Sequence, residues 1–104
     1  MGYGGAYDIA DYQYFTKEEI VEFAETVAED VSAEVGETYE VYDVYIDYDK
    51  RGQQTLVINL GNDEVEYTVN KRIDMRRIKK PTDLFKAYFN YFVDKFVTEI
   101  EYWN

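Results

Sequence analysis

Four glutamates, Glu18, Glu22, Glu25 and Glu29, recur at i, i+4, i+7 and i+11, the spacing that places side chains on one stripe of an α-helix. Farther along, Asp43, Asp47 and Asp49 fall in an alternating run with Tyr45, the pattern of one face of a strand. A rigid row of carboxylates presents regularly spaced negative charge to a cationic surface. Carboxylates four apart on a helix rise about 6 Å, and those two apart on a strand about 6.7 Å. Nucleic-acid phosphates also form regular rows of negative charge, so such a row can compete for a protein's phosphate-binding groove. Tyr45 would add a stacking or hydrogen-bonding contact. The plainer account is a solvated face that maintains solubility. Against it, like charges at i, i+4 cost a helix a few tenths of a kcal/mol per pair, and no lysine stands at the matching positions to relieve them.

The imbalance extends beyond the stripe. Residues 1–49 carry fourteen carboxylates against one lysine, Lys17, whereas residues 50–104 carry ten cations against eight acids, for a chain total of −11. Self-repulsion of this size opposes compaction, so a partner that favours negative charge is expected. Six cations, Lys71, Arg72, Arg76, Arg77, Lys79 and Lys80, crowd into the ten positions KRIDMRRIKK. Read alone, that segment could grip phosphate. The remaining 94 residues sum to −16 and repel nucleic acid, so pairing with acids of the same chain or of a partner is the preferred reading.

Other chemistry finds little support. Without His or Cys, Ser–His and Cys–His nucleophiles, disulfides and thiolate zinc sites cannot be built. Ser32 is the one serine, and no G-x-G-x-x-G or P-loop is present. Asp47, Asp49 and Gly52 match positions 1, 3 and 6 of a calcium loop, but Arg51 and Ile58 occupy positions 5 and 12. The expectation is a non-enzymatic protein with no cofactor and no metal. No apolar run approaches 18 residues, and the N-terminus lacks the pattern of a signal peptide. A cytoplasmic protein without membrane contact is therefore expected.

The elements that must hold these residues are readable. Residues 1–14, with three glycines and four tyrosines, read as a flexible or loosely docked arm before a single domain over 15–104. Thr16-Lys17-Glu18-Glu19 is a capping box, and Ile20, Phe23, Ala24, Val27, Ala28 and Val31 follow at helical spacing to a stop at Gly36. That predicts a helix over 17–34. Three alternating runs, 39–48, 54–60 and 64–71, are separated by turns at Lys50-Arg51-Gly52 and Gly61-Asn62-Asp63. Tyr42, Val44, Ile46 and Tyr48 of the first, and Val65, Tyr67 and Val69 of the third, are expected to point inward. Pro81 suits the first turn of a helix over 82–102, with Phe85, Phe89, Phe92, Phe96, Ile100 and Trp103 as its apolar ridge. The fold class is α+β: a three-stranded antiparallel meander with two helices packed on one face, in the order α-β-β-β-α.

This element order is similar to that of the double-stranded RNA-binding domain, but that domain's lysine-rich motif is missing. In size, acidity and element order from Thr16 to Trp103, the chain resembles small phage and mobile-element anti-defence proteins, among them the acidic anti-CRISPR inhibitors of type II effectors. The resemblance implies an inhibitor that occupies a nuclease's nucleic-acid groove, with a basic nucleic-acid-binding protein such as a CRISPR effector as partner and no direct nucleic-acid binding. Glu18, Glu22, Glu25, Glu29, Asp43, Tyr45, Asp47 and Asp49 are the candidate contact residues. The rival expectation is an adaptor domain that forms a homodimer through its aromatic last helix.

Overall fold

The first helix starts where its cap demands. The Thr16 N–H donates to Glu19 Oε1 at 2.8 Å, and the Glu19 N–H donates to Thr16 Oγ1 at 3.1 Å, so two N-terminal donors are satisfied reciprocally. Helix α1 runs Lys17–Val35 and ends at Gly36, whose φ is 76° and whose N–H reaches the Ser32 carbonyl at 2.9 Å. The computed structural model describes residues 15–103, and the expected arm 1–14 lies outside them. A Cβ at Gly36 would meet nothing within 4 Å, so Gly36→Ala should cost only the left-handed backbone strain, about 1 kcal/mol. Urea unfolding of that variant reads the loss directly.

Strands β1 (Glu40–Tyr48), β2 (Gln54–Gly61) and β3 (Glu66–Arg72) pair antiparallel in the order β1-β2-β3, and helix α2 spans Pro81–Trp103. The order α-β-β-β-α is the expected one. Both helices cover the same sheet face, α1 over β1 and α2 over β3, and they pack on each other. Val44, Ile46, Leu56, Ile58, Leu60 and Val69 meet Phe23, Val27, Phe92 and Phe96 in one buried cluster. Phe23 is the hub between the helices. Its ring lies 4.9, 6.2 and 5.7 Å from those of Phe85, Phe89 and Phe92, in the edge-to-face geometry that aromatic quadrupoles favour.

Three inward expectations are corrected. The register of β1 shifts between Val41 and Asp43, a β-bulge that leaves Tyr42 as the extra residue. Val41 therefore turns toward the core, while Tyr42 is 49 % exposed. The Tyr42 ring lies over Gly61, where a Cβ would stand 2.5 Å from its Cε2, and its hydroxyl donates to the Asn62 carbonyl at 2.6 Å. Val65 falls in the β2–β3 turn ahead of the strand and is 42 % exposed. Trp103 leaves the apolar ridge at the end of α2 and is 67 % exposed.

Side chains occupy backbone groups along the sheet edges. On β1, the Val44 N–H donates to Asp43 Oδ1 at 2.9 Å, and Lys17 Nζ, from α1, donates to the Val44 carbonyl at 2.7 Å. On β3, the Tyr91 hydroxyl donates to the Asn70 carbonyl at 3.3 Å. Ser32 Oγ, on α1, both accepts from the Tyr39 N–H and donates to its carbonyl. Unpaired strand edges recruit other strands, and these contacts occupy several of the groups that would do so.

Candidate functional site

On α1 the apolar residues Ile20, Phe23, Ala24, Val27, Ala28 and Val31 are buried. At 100° per residue, Glu18, Glu22, Glu25 and Glu29 then fall on nearly the opposite side of the helix, and all four are exposed. The stripe spans about 16 Å along the axis. The capping box and the buried inner face hold its backbone, so the row is rigid at its base.

The sheet aspartates do not join this stripe. Asp43, Tyr45 and Asp47 alternate with buried Val44 and Ile46, and so lie on the sheet face away from both helices. A helix about 10–12 Å across and the sheet itself stand between the two groups. Asp43 spends one carboxylate oxygen on the Val44 N–H. Asp47 stands in a cross-strand row with Thr55 and Arg72, and Tyr45 in one with Val57 and Asn70. Asp49 is not on the strand face at all. It sits in the hairpin turn, where its Oδ1 accepts from the Arg51 N–H at 2.8 Å and the Gln53 N–H at 3.0 Å. A single flat partner surface can cover the α1 stripe or the sheet trio, but not both.

Tertiary structure adds a residue to the α1 stripe. Glu40, at the start of β1, shares with Glu25 and Glu29 the rim of a groove of about 590 Å³ between α1 and β1, floored by Ala28, Ser32, Tyr39 and Val41. Ten residues, the helix stop and a turn among them, separate Glu40 from Glu29, so no periodicity links them. The groove is lined by carboxylates and small or aliphatic groups, a setting that accommodates the aliphatic stem and charged head of a lysine or arginine. Among the described residues, no group of three or more His, Cys, Asp or Glu is arranged to hold a metal ion.

Lys17, the one cation of the acidic half, donates to the Val44 backbone carbonyl. Lys71 Nζ lies 4.9 Å from the Tyr91 ring centroid and 5.7 Å from that of Tyr88, and Lys95 Nζ lies 5.7 Å from the Tyr91 centroid. Within the basic segment, Arg72 lies in the field of the Asp49 carboxylate, one instance of the expected pairing with the chain's own acids. The broad apolar arc of α2 is largely consumed: Phe85, Phe89 and Tyr91 pack against the core, while Tyr102 (75 % exposed) and Trp103 stand out at the helix end.

The hairpin carries its own pH dependence. The Gln53 N–H, then the Arg51 N–H, hold the Asp49 carboxyl below its ordinary value, because both bonds favour the ionised form. A lowered folded value contributes stability above the ordinary carboxylate pKa and loses it as pH falls through the folded value. The Arg51 and Gln53 amides should therefore lose exchange protection on acidification. Asp49→Asn should remove that dependence, as amide exchange followed by NMR would report.

Comparison with protein-family models, curated proteins and solved structures found no match. Among the described residues, no helix is long and apolar enough to cross a membrane.

Proposed function

We propose that this protein is an acidic, non-enzymatic binding module that docks the α1 face on a basic, nucleic-acid-handling protein and blocks its phosphate-binding groove. The observation that carries this reading is the row Glu18, Glu22, Glu25 and Glu29: four exposed carboxylates along one stripe of a capped helix. Such a row pairs with the arginines a partner supplies, and its long-range field steers a basic partner toward it. Glu25, Glu29 and Glu40 around the α1–β1 groove provide the point where one arginine or lysine inserts. Asp43, Tyr45 and Asp47 form a separate, weaker face. A host-defence nuclease of the CRISPR effector kind is the partner class that the resemblance in size, charge and element order favours.

The test is capture of basic proteins by the immobilised chain at low and high salt, with duplex DNA added as competitor. Retained proteins should be nucleic-acid binders, should elute as salt shortens the Debye length, and should be displaced by DNA. Retention indifferent to both salt and DNA would sink the reading.

One observation favours a second reading, self-association through the end of α2. Tyr102 and Trp103 are exposed, with Val65 and Trp103 flanking a common groove, and aromatic residues are enriched at interface centres. Light scattering after size exclusion separates the readings: a dimer that Trp103→Ala dissociates supports the second, and a monomer across the accessible concentration range eliminates it.

A further inference from the structure

Nine of the eleven cations gather at one end of the molecule. The hairpin brings Lys50 and Arg51. The end of β3 and the connection to α2 bring Lys71, Arg72, Arg76, Arg77, Lys79 and Lys80, and the early part of α2 brings Lys86. Two contacts join these segments: Thr55 pairs with Arg72, and the Ile73 N–H donates to the Gln54 carbonyl at 2.8 Å. Three aspartates at this end turn their carboxylates to backbone donors. Asp49 holds the hairpin, Asp74 accepts from the Arg76 N–H at 3.1 Å, and Asp83 accepts from the Lys79 and Lys80 N–H groups at 3.1 and 3.2 Å. The acids brace the loops; Arg72 also lies in the field of the Asp49 carboxylate, and Arg72 and Arg76 are both exposed.

Between these segments lies an open cleft of about 710 Å³, whose lining includes the cations Lys71, Arg72 and Arg76, one acid, Asp74, and Ile73, Met75 and Tyr88. Its wall is preorganised. The Asp74 N–H donates to the Tyr88 hydroxyl at 3.0 Å, and the Asp74 carbonyl accepts from the Arg77 and Ile78 N–H groups at 3.0 and 2.9 Å.

We propose that this cleft binds a small organic phosphate, with Arg72 and Arg76 on the phosphate, Lys71 adding its field, and the organic part against Ile73 and Met75. Guanidinium groups match phosphate bidentately, and the three cations of the lining less the one acid, Asp74, leave the two positive charges that balance a dianion. The cleft lies in the size range of small-molecule sites, far larger than one phosphate needs, which argues for an ester over the bare ion. The charge of the whole chain selects for size. A local cluster of cations focuses positive potential in the cleft, while the acidic remainder repels a long polyanion whose flanking phosphates extend beyond it. This site is separate from the α1 stripe, so the proposal does not depend on the partner-binding reading.

The test titrates the full chain with AMP at low salt, following backbone amides by NMR, beside adenosine, inorganic phosphate and a short single-stranded RNA. AMP should shift Gly52, Ile73, Met75 and Arg76 saturably. It should bind roughly tenfold tighter than inorganic phosphate, and adenosine should leave these amides unmoved. Arg72→Ala with Arg76→Ala should weaken AMP by at least about tenfold without altering capture of a basic partner. Three results would overturn the proposal: no saturation by AMP up to roughly 10 mM, equal affinity for phosphate and AMP, which marks an adventitious ion site only, or RNA affinity that exceeds AMP and grows with length. The wild-type titration stands alone, so the proposal stays falsifiable even if the double variant fails to fold.

Discussion

Phe23→Ala is expected to lower the unfolding free energy by about 3–5 kcal/mol, the range for deleting a fully buried aromatic. Phe23 has no solvent exposure, and its ring meets those of Phe85, Phe89 and Phe92 edge to face. Its removal strips contact from both helices at once and leaves a cavity the flanking rings can only partly refill. Domains of this size are stable by about 5–15 kcal/mol, so the variant should be largely melted near the temperature where the wild type is intact. Urea denaturation with a shared m-value reads the difference, and Phe23→Leu should lose much less. A Phe23→Ala loss under about 1 kcal/mol would mean that the two helices do not meet through this residue.

The charge stripe makes the second large prediction, in which stability and binding move in opposite directions. In the wild type, Glu18–Glu22, Glu22–Glu25 and Glu25–Glu29 are like-charge neighbours on the outer side of α1. Glu22→Lys with Glu25→Lys turns the first and last of these pairs attractive, so the folded state should gain about 1 kcal/mol at low salt. The same change places two cations where the proposed basic partner supplies its own. Capture should weaken by the equivalent of about 2–5 kcal/mol, the scale for disrupting close interfacial charge pairs. Thermal unfolding and binding measured on one preparation provide both halves. A variant that is more stable yet binds unchanged would remove α1 from the interface. Asp43→Lys with Asp47→Lys, on the opposite sheet face, should leave capture nearly intact and so serves as the control for net charge alone.

Much of this architecture is local and legible in the sequence. The Thr16–Glu19 box, the left-handed stop at Gly36 and the 3.6-residue spacing of Ile20, Phe23 and Val27 act within a turn or two of helix. The short turns between alternating runs confine the strands to antiparallel neighbours. The bulge at Tyr42 is not legible, because its accommodation depends on Gly61, a residue that becomes its neighbour only after β1 and β2 pair. Strict alternation carried through that point puts Tyr42 on the wrong face. Alternation misplaces Val65 for a related reason: Asn62 closes the turn by accepting from the Glu64 and Val65 N–H groups, which takes Val65 out of the ladder.

The candidate site divides along the same line. Sequence by itself determined that Glu18, Glu22, Glu25 and Glu29 share one helix stripe, since helical periodicity needs no tertiary contact. It also determined the surplus of negative charge and the order of the elements. Only the tertiary structure decided that Asp43, Tyr45 and Asp47 face away from that stripe, that Asp49 closes a hairpin, that Glu40 completes the α1–β1 groove, and that the cations collect at one end. Each of these depends on which apolar faces meet. Burial of Val44 and Ile46 beneath α1 sends the alternate side chains to the far side of the sheet, and that choice is made by packing between segments far apart in the chain.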